Sequence, residues 1–95
     1  MKKEEVMNIL NKVMHPEIDA SLVELGMIKE VNVKENKVTV TMAFPFPGVP
    51  IKGMLIESVK KPLEDAGLNV EIKDTVMDQG ELEKFFRMEQ EKWKF

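Results

Sequence analysis

The sequence predicts a small α+β domain, a two-layer sandwich of helices on a three-stranded mixed sheet, in the order α-β-β-α-β with a further C-terminal helix. Three observations predict it. Apolar residues recur first at helical spacing, then alternate with period two, return to helical spacing and alternate once more. Prolines and glycines fall outside the alternating stretches. At 95 residues the chain is one domain, so its amphipathic strands must share one covered face.

The first helix is predicted from about Lys2 to Met14, with Val6, Ile9, Leu10 and Val13 on one stripe and Glu4 and Glu5 at the end of the dipole that favours acids. Pro16 stops it and drives His15 toward an extended backbone. Residues 17–26 read as a turn-rich connection with apolar anchors, closed by Gly26. Val31 and Val33 then alternate with polar residues, as do Val38, Val40 and Met42; Glu35-Asn36 between them predicts a tight hairpin with Asn36 at positive φ. Ala43 to Pro50 holds three prolines and a glycine and cannot be regular, although Pro50 suits the first turn of a following helix. That helix carries Ile51, Met54, Leu55, Val59, Leu63 and Ala66 on one face and ends at Gly67, with Pro62 expected to kink it or end its regular part near Lys60. Leu68, Val70, Ile72 and Val76 predict the third strand, parallel to the second through the helical crossover. Asp78-Gln79-Gly80-Glu81 reads as a capping box opening a last helix with Leu82, Phe85, Phe86 and Trp93 on one side and a Glu83–Arg87 pair on the other.

Composition excludes several chemistries. There is no cysteine, hence no disulfide, no thiolate nucleophile and no thiolate ligand for zinc or an iron–sulfur cluster. With 14 Lys+Arg against 17 Asp+Glu, interspersed, the chain lacks the basic field of a nucleic-acid binder. No apolar run approaches the ~20 residues of a membrane span, and the charged start is unlike a signal peptide, so no membrane partner is expected and the cytoplasm is the expected location. The segment Gly48 to Gly53 lacks the spacing and the Lys-Ser/Thr end of a phosphate-binding loop. Ser21 and Ser58 have no base beside them and no carboxylate pair is placed for acid–base work, so no catalytic residue is expected and the chain reads as a non-enzyme.

Four elements come in one order: His15-Pro16-Glu17, Leu22-Val23-Glu24-Leu25-Gly26-Met27-Ile28, Val38-Thr39-Val40-Thr41-Met42, and Pro47-Gly48-Val49-Pro50. Together they resemble the small iron–sulfur (metal–sulfur) cluster assembly domain family that includes PaaD-like and SufT-like proteins. The resemblance covers about residues 4 to 76, implying an assembly-like domain over 1–76. Residues 77–95, with Phe85, Glu89 and Trp93, look like the tail of archaeal-type standalone members, a helix packed on the domain or at an interface. The family pattern has aspartate where this chain has His15, and threonines where it has Ala43 and Pro45. Its reactive cysteine, the candidate cluster ligand, is replaced by Val49.

The resemblance implies an accessory or adaptor role in cluster assembly or protein maturation, carried by protein contacts. A cluster-carrier ATPase or a client protein is the expected partner, and a homodimer is a further candidate. Phe46, Pro47, Gly48, Val49, Pro50 and Lys52 form the expected partner-binding loop and helix start; Phe85, Phe86 and Trp93 form a candidate interface; His15, Glu17, Leu25 and Gly26 are the family-motif positions. No metal ligand and no cofactor is expected. His15, Glu17 and Asp19 are read as helix-end and turn residues rather than as a metal site. The competing expectation is a structural or regulatory interaction module, homodimeric in one version, that has lost the cluster-related role.

Overall fold

The period-two stretches form three strands, β1 (Ile28–Lys34), β2 (Lys37–Phe44) and β3 (Asn69–Val76), in a computed structural model that describes residues 1–95. β2 is central, antiparallel to β1 and parallel to β3. The helix α2 (Lys52–Asp65) makes the crossover that a parallel pair requires. Val31 and Val33 stand opposite Val40 and Val38, and on the other side Val70 and Ile72 stand opposite Val38 and Val40. Paired residues share a face, so these six side chains form one apolar surface. The helix α1 (Lys3–Leu10), through Val6 and Leu10, and α2, through Leu55, Val59 and Leu63, close over it in one continuous core. Asn32, Thr39, Thr41, Glu71 and Lys73 alternate onto the opposite face, which stays polar and uncovered.

Several boundaries depart from expectation for identifiable reasons. α1 ends at Leu10, four residues before Met14, because residues 13–15 find partners elsewhere. The Leu22 N–H donates to the Val13 carbonyl (2.9 Å), the His15 N–H to the Ala20 carbonyl (3.0 Å), and Met14 bridges Ser21. In the β1–β2 hairpin it is Glu35, at φ 57°, and not Asn36 that takes the positive φ. The first of the two turn residues has positive φ in either favoured hairpin turn, and the Asn36 carbonyl is held by the Asn69 N–H at 2.8 Å.

Pro62 does not end α2, which continues to Asp65. The proline forfeits one backbone bond in the last turns, while Leu63 behind it is fully buried and the end is tightly capped. Gly67, at φ +89°, donates to the Glu64 carbonyl (2.9 Å) and Leu68 to the Leu63 carbonyl (3.1 Å), the paired bonds of a Schellman motif with Leu63 and Leu68 both buried. Met54, expected in the core, is 58% exposed, since the buried stripe runs Leu55, Val59, Leu63.

The connection from residue 21 to 27 is a single helical turn capped at both ends. The Glu24 N–H donates to Ser21 Oγ (3.0 Å) and the Ser21 N–H to Glu24 Oε1 (2.9 Å), a reciprocal capping box. The Ser21 backbone N–H first, and then its hydroxyl, hold the Glu24 carboxyl below the usual range. Gly26, at φ +78°, reverses the chain so that Leu22, Leu25 and Met27 all enter the core. A Cβ at Gly26 would meet nothing within 4 Å, so Gly26→Ala is expected to cost only the left-handed backbone penalty. Urea unfolding should show a loss of about 1–2 kcal/mol with an unchanged m-value.

Candidate functional site

The sheet ends at the carboxyl termini of β2 and β3 and the amino terminus of β1, and three irregular segments meet there. The first is the proline-rich loop after β2. Phe44 is 1% exposed and anchors it, whereas Phe46, two residues on, is 48% exposed and turned outward. Pro45, Val49 and Pro50 are carried with it, Val49 half-buried against the core.

The second segment holds His15. Its Nδ1 accepts the Glu17 N–H at 3.0 Å, the bond an aspartate carboxylate would accept in an Asx turn. The imidazole thus holds the turn as an aspartate carboxylate would. An accepting Nδ1 requires the neutral ring with its proton on Nε2. Burial lowers the His15 pKa below its ordinary value, against the Glu17 carboxylate, which raises it; the Lys94 ammonium lowers it further.

The third is the helix α3 (Gln79–Lys92) and the residues after it. The expected capping box forms: Asp78 Oδ1 accepts the Glu81 N–H (2.8 Å) and Glu81 Oε1 the Asp78 N–H (2.9 Å). Phe85 is buried in the core, and Glu81 reaches Lys29 on β1 at 3.4 Å. Glu83 and Arg87 are exposed but form no ion pair. Past Lys92 the backbone pairs with residues 17–19: Asp19 N–H to the Lys92 carbonyl (2.8 Å), Lys94 N–H to the Glu17 carbonyl (3.1 Å), and Trp93 opposite Ile18. This pairing has no signal in the periodicity of either segment.

These segments enclose a groove of ≈ 390 Å³. His15, Glu17, Phe46, Val49, Pro50, Phe85, Phe86 and Trp93, expected from three separate parts of the sequence, all line it, joined by Met27, Pro45, Ile51, Leu55 and Glu89. Glu89 was not among the expected site residues. Pro47, Gly48, Leu25 and Gly26 are not part of its wall; the last two shape the turn that delivers Met27. Lys52 also stands outside it. Its ammonium pairs with Asp74 and lies 5.4 Å from the centre of the Phe44 ring, and that hydrogen bond holds the Asp74 carboxyl below the usual range. Asp74, opposite Met42, thus occupies the end of the apolar face of β3 that Val76, 45% exposed, does not fill.

A larger depression, ≈ 720 Å³, runs along the start of α1 and the end of β1; it is shallow and gathers none of these residues. No three His, Cys, Asp or Glu side chains converge to hold a metal ion. No helix is long and apolar enough to cross a membrane.

The sequence model of a family described as iron-sulfur cluster assembly protein matches residues 3–73, from α1 through most of β3. The chain belongs to this family. It is 35% identical over 74 residues to an Fe-S protein maturation auxiliary factor of Bacillus subtilis, covering 77% of this chain and 70% of that one. It is 32% identical over 59 residues to an iron-sulfur cluster carrier protein of Synechocystis, covering 62% of this chain but 17% of that longer one. In structure it superposes on a conserved hypothetical protein of Thermotoga maritima with a TM-score of 0.72, at 24% identity and over 96% and 93% of the two chains. The order of elements and the mixed sheet are therefore those of the family fold.

The His15 turn predicts a pH dependence. Because the folded state takes up the His15 proton at lower pH than the unfolded chain, its contribution to stability is complete above the unfolded value of about 6.5 and is lost as pH falls toward the folded value. The thermal midpoint of the protein should drop between pH 7.5 and 5.5. His15→Asp, which keeps an acceptor for the Glu17 N–H and titrates lower, should lack that drop.

Proposed function

We propose that this chain is a non-catalytic accessory protein of iron–sulfur protein maturation, an adaptor that acts through protein contacts in the cytoplasm, with a cluster-carrier ATPase or a client protein as partner. The observation that carries the reading is the wall of the groove. At the position where the family pattern has a cysteine stands Val49, flanked by Phe46, Pro50, Ile51, Phe86 and Trp93. Such a wall suits another protein's side chains, and it offers iron or sulfide no thiolate. The relatives' names support the maturation setting. A carrier as partner is supported by the Synechocystis protein, in which the matching segment is covalently part of a longer carrier chain. The cluster is cargo that this chain does not ligate through thiolates, since it has none.

Affinity capture from the native cytosol should recover a cluster-assembly or cluster-containing protein. Combining Phe46→Ser with Trp93→Ala should reduce the capture at least about tenfold, as expected when two aromatic anchors are removed. Capture that recovers no such protein contradicts the adaptor role. Anaerobic incubation with iron and sulfide, followed by desalting and absorbance, should leave no stoichiometric cluster on the protein; a retained cluster contradicts the contact-only mechanism.

A further inference from the structure

We infer that the groove selects a partner segment in which a basic side chain, arginine above lysine, stands next to an apolar anchor. The inference rests on the adaptor reading and adds the chemistry of the partner. Glu17 and Glu89 are the acidic side chains of the wall, and no lysine or arginine lines it. Five cations adjoin lining residues in sequence, yet none belongs to the wall: Lys52 is paired with Asp74, Lys94 has its Nζ 3.5 Å from the His15 carbonyl oxygen, and Lys84, Arg87 and Lys92 stand outside it. The groove is thus an apolar cleft with a one-signed charge, and an occupant without a compensating cation would desolvate two carboxylates unpaired.

The aromatic residues point the same way. The chain has only five phenylalanines and one tryptophan, and three of these six line the groove while 43–48% exposed: Phe46, Phe86 and Trp93. A planar guanidinium stacks on such rings while its fork pairs with a carboxylate, which an ammonium does less well. His15 supplies a third contact. It is 5% exposed, its Nδ1 is occupied by the Glu17 N–H, and its Nε2 has no partner within the chain yet is not sealed from solvent. An unpartnered Nε2–H on a residue of the groove wall suits a main-chain carbonyl of the bound segment. At ≈ 390 Å³ the groove is at the small end for bound ligands, room for one or two side chains and the backbone between them.

Trp93 is the only tryptophan and lines the groove, so its emission reports occupancy directly. Capped pentapeptides with Leu-Arg, Leu-Lys, Leu-Gln or Leu-Glu at their centre are titrated into the full chain at low salt, each to several millimolar. The Leu-Arg peptide should shift the Trp93 emission saturably and bind tighter than Leu-Lys. Leu-Gln should bind roughly fivefold more weakly than Leu-Arg, the scale of a partly exposed ion pair, and Leu-Glu weaker still. In the Glu17→Gln/Glu89→Gln variant, folded by circular dichroism, the Arg-to-Gln difference should fall to about twofold, the part that ring stacking leaves, while Leu-Gln binding persists. Equal binding of the four peptides, a preference for Leu-Glu, no saturable binding by any, or an Arg preference undiminished in the double variant each overturns the inference. If the charge preference is absent but Phe46→Ser/Trp93→Ala still loses its captured protein, the basic-segment inference falls and the adaptor reading stands.

Discussion

Strand β2 is bonded along both edges, and most of the architecture follows from that constraint. Its Val38, Val40, Met42 and Phe44 are all essentially inaccessible; β3 is in register with it throughout, and β1 is in register from Glu30 to Lys34, with a bulge between Ile28 and Glu30. A one-residue slip would turn four buried apolar side chains to the polar face. Register is therefore strongly specified, and with it the level at which β2 and β3 end. The groove stands at that level. Ala43 donates to the Met27 carbonyl (2.9 Å) and Met77 to the Phe44 carbonyl (2.8 Å), so the segments entering β1 and leaving β3 are both fastened to the last turn of the pleat.

Around that rigid end the site is assembled from backbone bonds rather than from regular elements. The pairing of residues 92–94 with 17–19 draws the tail beside the His15–Glu17 turn, and the buried Phe85 seats α3 on the body. What remains exposed is the outer rings, Phe46, Phe86 and Trp93. These three exposed rings share one groove, whereas the other exposed apolar side chains, Met1, Met14, Met54, Val76 and Phe95, lie outside it. Val49 and His15 both stand on the wall of this shaped cleft. Val49 brings it no thiolate, whereas His15 holds its own turn through the Glu17 N–H.

Much of the fold was legible because its signals are local. The period-two stretches, the Asp78–Glu81 capping box and the Gly67 cap each arise from interactions within a few residues, and each appears where the sequence places it. The errors occur where a distant partner outweighs a local preference. The helical stripe that includes Val13 loses to bonds with residues 20–22. Pro62 is overridden by the burial of Leu63 and the cap behind it. The asparagine of the hairpin yields the positive φ to Glu35, its own carbonyl being engaged by β3.

The candidate site was legible as three lists of residues and not as one place. By itself the sequence determined the α+β class, the order of elements, the family and the missing thiol, because hydrophobic period, turn residues and composition are properties of neighbouring positions. Only the tertiary structure decided that His15, the proline-rich loop and the C-terminal helix face one another, that Glu89 joins them, and that Lys52 is spent on Asp74 and Phe44 instead. The physical reason is that these contacts span up to about 75 residues of chain and are made by irregular backbone, whose course depends on which distant donor meets which acceptor.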